Sequence, residues 1–105
     1  MKSLYLLLFL FGSFFLISSS HADTADSDKG QHLFKRSCAT CHGRQGEKSA
    51  MNQSAVIQKM KKDEIITALQ ARKSGEIDGA GNMAKSRLSE QDMQHIAEYV
   101  ESLGK

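Results

Sequence analysis

Almost nothing in this chain asks for a β-strand. No stretch of its 105 residues convincingly alternates apolar and polar side chains, and no internal repeat divides it. Charge of one sign is also missing: 14 Lys and Arg stand against 12 Asp and Glu, and leaving out Lys2 makes that 13 against 12. So even a balance gives no argument for nucleic acid or for an anionic membrane surface as a partner. Long apolar runs are scarce. The longest, Leu4 to Ile17, covers 14 residues, short of the roughly 20 that span a bilayer, so no stable membrane insertion is expected. Proline is absent altogether, and cysteine occurs only at positions 38 and 41.

The apolar run has a different use. With Lys2 before it and the small-x-small site Ser20-His21-Ala22 after it, residues 1–22 are predicted to be a cleaved signal peptide. One domain, residues 23–105, remains, and it is expected in the periplasm. Its 83 residues bury a limited fraction of their surface and are marginal without a staple. In an oxidising compartment an idle cysteine pair becomes a disulfide. A disulfide closing so small a loop stabilises little, which points to another job for this pair.

Three helical patterns organise the mature chain. Residues 23–28, "DTADSD", read as a loose polar tail. From Ser27, a plausible N-cap, the residues Gly30, Leu33, Phe34 and Ser37 fall at i, i+3, i+4 and i+7, and this helix runs into Cys38. A second helix is predicted over about Asp63 to Ser74, with Ile65, Ile66 and Leu69 facing inward and Gly75 at its C′ position. The last is the clearest. Ser89 and Asp92 form a capping box, Leu88 and Met93 a hydrophobic staple, and Met93, Ile96, Tyr99, Val100 and Leu103 an apolar stripe. The connections, 43–60 and the glycine-containing "GEIDGAGNMAKSR" at 75–87, read as irregular loops. The fold class is all-α, with three main helices.

The segment "SCATCHG", residues 37–43, carries the chemistry. A thioredoxin-like redox pair needs a strand leading into it and a βαβ frame behind it, and neither is present. A structural zinc site needs four ligands, normally from separated pairs. Beyond this motif the mature chain offers only His32, opposite the apolar stripe, and His95, flanking the stripe of the last helix. The third reading fits. Cys-x-x-Cys-His is the signature of covalent haem attachment, in which Cys38 and Cys41 add to the two vinyl groups and His42 binds the iron. Cysteines three apart on a tight turn point the same way, and the bound group is the staple that so small a chain requires.

For the other face of the iron the candidates are methionines, His95, or no protein ligand. Met51 lies only nine residues past His42, Met60 sits near the start of the second helix, and Met93 belongs to the last helix's packing stripe. Met83 stands in an aperiodic loop with no apolar stripe to claim it, and Gly79 and Gly81 beside it allow close backbone approach to a flat ring. Met83 is therefore the expected sulphur ligand, with His95 and an open position as the remaining options.

These residues together resemble the small single-haem class I cytochromes c of bacteria, over about Asp26 to Leu103. That family places a glycine and an aromatic four apart on its first helix, crossing an apolar residue and an aromatic three apart on its last. Here they are Gly30 and Phe34 against Ile96 and Tyr99. The family's methionine ligand lies in a loop just before the last helix, where Met83 stands. Many relatives orient the proximal histidine with the carbonyl of a proline after the motif. With no proline here, another backbone carbonyl of the 43–60 loop is expected to orient His42 Nδ1. The resemblance implies a small cytochrome c fold around one covalently attached haem c. It also implies a monomeric one-electron carrier between donor and acceptor redox proteins, met through small transient interfaces and transforming no chemical substrate. A haem enzyme or a gas or redox sensor with an open sixth iron position is the alternative. Lys48, Lys59, Lys61, Lys62, Lys85 and Arg87 could steer docking, or could simply be solvated surface.

Overall fold

The computed structural model describes residues 22–105, so the predicted signal peptide, apart from its last residue Ala22, lies outside the described residues. These fold as helices joined by loops and turns, with no strand among them. In chain order they are α1 (Ala22–Ser37), α2 (Ala39–His42), short 3₁₀ turns at Ala50–Asn52 and Ile57–Lys59, α3 (Lys62–Ser74), α4 (Asn82–Ser86) and α5 (Glu90–Leu103). No helix among the described residues is long and apolar enough to cross a membrane.

The α1–α5 crossing is the frame. A Cβ on Gly30 would overlap the His95 carbonyl oxygen and come within 3.0 Å of the Tyr99 Cβ, so the two backbones touch where a side chain is missing. One turn on, Phe34 is fully buried and its ring centroid lies 5.6 Å from that of Tyr99, the planes inclined by 54°. The expected pairing of Gly30 and Phe34 with the last helix is therefore present. Helix α1 starts earlier than predicted. It includes residues 22–28, which contain no glycine or proline to stop it. Ser27 consequently lies inside the helix and is not its cap.

Helix α5 begins as its sequence dictates: Ser89 Oγ accepts from Asp92 N–H at 3.0 Å, and Asp92 Oδ2 accepts from Ser89 N–H at 3.0 Å. Met93, Ile96, Ala97, Tyr99 and Val100 of α5 are buried with Phe34, with Ile65 and Leu69 of α3, and with Leu88. Helix α3 is held to α5 at its start, where Lys62 N–H donates to Glu101 Oε2 at 2.6 Å and Lys62 Nζ lies 3.7 Å from a Glu98 carboxylate oxygen. It ends at Gly75, whose φ of 83° is left-handed, as a C′ glycine should be. The loop 75–87 is not wholly irregular, as predicted, because Asn82–Ser86 close one helical turn. A five-residue helix has too few positions to show a period in sequence.

Candidate cofactor site

Between this core and the turns around it lies a cavity of about 420 Å³, within the size range of small-molecule and cofactor sites. Cys38, Cys41 and His42 bound it at one end. Ile57 and Met60 come from the segment before α3, Ile65, Ala68, Leu69 and Arg72 from α3, and Gly79, Gly81, Ala84 and Lys85 from the loop that precedes α5. Phe34, Leu88, Ile96 and Val100 of the core close its floor.

Local hydrogen bonds explain how three reactive side chains share one end. The Cys38 carbonyl accepts from Cys41 N–H at 3.2 Å and from His42 N–H at 3.0 Å, winding the motif into the single turn α2. Both thiols are free; Cys38 is half-buried and Cys41 exposed. Burial raises the Cys38 pKa, against a smaller opposing pull from Lys85, so this sulphur is a neutral thiol at pH 7. His42 shifts the other way. Burial first, then the positive charges of Lys85 and Arg72, lower its pKa, which keeps the imidazole neutral with a lone pair for a metal.

His42 Nδ1 is buried and has no hydrogen-bond partner. The expected orienting carbonyl from 43–60 is not hydrogen-bonded to it; the carbonyls next to the motif accept instead from backbone amides that fold the loop. His42 O accepts from Lys48 N–H at 2.9 Å, Gly43 O from Gly46 N–H at 3.1 Å, and Gly46 O from Gln58 N–H at 3.0 Å.

A haem c fits these residues. The slot is lined mainly by apolar side chains, one turn of its wall carries two free thiols, and the half-buried His42 beside them keeps a buried Nδ1 without a hydrogen-bond partner. Zinc does not fit: no group of three or more His, Cys, Asp or Glu side chains able to hold a metal occurs among the described residues.

The methionines divide. Met93 is fully buried in the core, as packing requires; Met60 is half-buried and Met51 is 65% exposed, and both line the cavity. Met83 sits on α4 with 74% of its surface exposed; it does not line the cavity, although Gly81, Ala84 and Lys85 around it do. His95 is buried in α5 but is not part of the cavity wall. Arg72 was not singled out from sequence, yet it lines the slot. The signal was available, since it continues the inward stripe Ile65, Leu69 by one turn. Of the possible steering cations, Lys85 is half-buried at the cavity, where burial lowers its pKa, and Lys62 is paired with Glu98. Lys48, Lys59, Lys61 and Arg87 are exposed.

Comparison with known proteins agrees with this chemistry. The family described as "Cytochrome C oxidase, cbb3-type, subunit III" matches residues 25–100. Cytochrome c-553 of Helicobacter pylori strain J99 is 35% identical over 69 residues, which are 65% of this chain and 72% of that protein. Cytochrome c-553 of Nitratidesulfovibrio vulgaris strain Miyazaki F is 33% identical over 79 residues, 70% of this chain and 76% of the relative. The cbb3-type cytochrome c oxidase subunit CcoP of Rhodobacter capsulatus is 35% identical over 97 residues, 84% of this chain but only 33% of that subunit. No solved structure matches significantly.

Proposed function

The chain belongs to the cytochrome c family, c-type cytochromes that carry electrons on a covalently attached haem c, and we propose that it works as an exported one-electron shuttle with His42 and Met83 as its two iron ligands. Cys38 and Cys41 would hold the haem through two thioether bonds, each of which would form by addition of the thiol S–H across a vinyl group. The bound iron supplies the one-electron couple, and a soft sulphur ligand raises its potential by favouring the reduced state. Phe34, Ile65, Leu69, Leu88 and Ile96 keep the slot dry, which limits the solvent reorganisation that accompanies each electron. The neutral state of His42 leaves it ready to bind metal without losing a proton.

The observation that carries this reading is the convergence of two free thiols and a neutral, half-buried imidazole on one apolar slot. Met83 is favoured over Met60, which packs against the hydrophobic core, and over Met51, which follows His42 by only nine residues and so is poorly placed to reach the opposite face of the haem. Residues 1–22 would direct export to the periplasm. There the protein would exchange electrons with donor and acceptor proteins through small, transient contacts steered by exposed lysines. Likeness to an oxidase subunit supports a respiratory oxidase as the class of acceptor.

The exposure of Met83 favours one alternative, an iron whose sixth position is open to a small ligand. Two measurements separate them. In the proposed state the oxidised protein has a weak charge-transfer absorption from sulphur bound to ferric iron, lost in Met83→Ala and kept in Met51→Ala and Met60→Ala. Tight carbon monoxide binding by the unmodified reduced protein would establish the open site instead.

A further inference from the structure

The loop that carries Met83 is poorly anchored by packing. Between Gly75 and Arg87 only Asn82 and Lys85 are even half-buried; every other residue is exposed. The hydrogen bonds inside it are local: Asn82 Nδ2 donates to Ile77 O at 2.7 Å, Lys85 N–H to Gly81 O at 3.2 Å, and Ser86 Oγ to Met83 O at 2.7 Å. Such bonds shape the loop but do not fix where it lies over the slot.

Its ends are what the fold controls. Leu88, the first core residue after the loop, is 7% exposed. Two side-chain bonds cross from α3 to this side. Gln70 Nε2 reaches Glu90 Oε2 at 3.0 Å in full solvent, and Lys73 Nζ, on the last turn of α3, donates to the Leu88 carbonyl in a part-buried position. The second bond is charge-assisted and links residues 15 apart. A bond that holds both ends of a weakly packed segment restricts all the conformations between them.

We propose that Lys73 is a positioning residue for the sixth iron ligand, its ammonium clasping the Leu88 carbonyl so that the loop 75–87 stays closed and Met83 is kept beside the slot, within reach of the iron when haem is bound. The inference rests on Met83 being that ligand. Lys73 itself does not line the slot and would touch neither haem nor sulphur.

Imidazole added to the oxidised holoprotein tests this, because it binds ferric iron only while the protein's own ligand is away. Lys73→Met keeps most of the aliphatic stem and removes the donor; it should bind imidazole roughly tenfold more tightly at 25 °C, the effect of losing one charge-assisted bond from the closed state alone. Lys73→Arg should restore nearly the native affinity. A Lys73 that only supports the fold would lower the unfolding temperature and leave imidazole affinity unchanged at 25 °C, and that result overturns the proposal. Met83→Ala provides the second arm. It should bind imidazole far more tightly than the native protein, and adding Lys73→Met to it should change nothing more. If Met83→Ala binds imidazole as the native protein does, the ligand reading fails and takes the clasp with it. If Met83→Ala behaves as expected while Lys73→Met matches the native protein, the clasp alone is wrong.

Discussion

Replacing Gly30 with alanine puts the helix crossing to its hardest test, because two opposed effects can be weighed. Inside an α-helix, alanine is favoured over glycine by about 1 kcal/mol, so propensity alone predicts a more stable protein. Packing predicts the reverse. The added Cβ would overlap the His95 carbonyl oxygen, a backbone atom of α5 that cannot rotate out of the way, and would also press on the Tyr99 Cβ. Overpacking of a tight core costs typically 1–3 kcal/mol, and an immovable neighbour places this site at the upper end. The net loss is then about 2 kcal/mol. For a domain of this size each kcal/mol corresponds to roughly 4–8 °C in Tm, so a fall of about 8–16 °C is expected. Thermal unfolding of the oxidised holoprotein, followed by far-ultraviolet circular dichroism, measures it, with Lys35→Ala on an exposed position of α1 as a control. An unchanged or raised midpoint in Gly30→Ala would refute the close backbone contact between α1 and α5.

The cap of α5 gives two more predictions. Ser89→Ala should destabilise by about 1 kcal/mol in chemical unfolding, since the Asp92 amide loses its acceptor. Asp92→Asn should cost stability at pH 7 but not in acid. The Ser89 backbone hydrogen bond holds the Asp92 pKa below the ordinary carboxylate value. Its contribution is therefore fully present above the unfolded pKa of about 3.9 and is lost as pH falls through the lower folded value, so the two unfolding curves should converge below about pH 4. Met93→Leu, which nearly conserves volume at a fully buried site, should cost less than about 1.5 kcal/mol and leave the charge-transfer absorption unchanged, as befits a packing residue.

What could be read in advance was whatever rests on a repeat, a cap or a missing side chain. The crossing of Gly30 and Phe34 with Ile96 and Tyr99 was legible through the resemblance to small class I cytochromes c, which pairs those positions across two helices. Ser89 with Asp92, and Gly75 after α3, are local signals whose partners lie within a few residues. The cysteines and His42 were legible because their spacing is itself the chemistry. Other features carry no periodic signal in the sequence. Helix α1 extends through 22–28 without any apolar periodicity to announce it, and α4 is too short to have one. The direction of the Met83 side chain was not readable, because a loop with three glycines and no stripe leaves its rotation undetermined. The same holds for His42 Nδ1, since which loop carbonyls remain available depends on how 43–60 folds back on itself. The hydrogen bond from Lys73 to Leu88 joins two elements that no sequence period connects.

A haem bound through two thioether links to Cys38 and Cys41 adds its mass permanently to the chain, and the intact mass of the exported, purified protein under denaturing conditions reads that addition. The expected mass is that of the processed polypeptide plus one haem, persisting after acid extraction that strips non-covalent haem, and lost when both cysteines are replaced by serine. A native protein whose mass is that of the polypeptide alone, or whose haem is removed by acid, would contradict it.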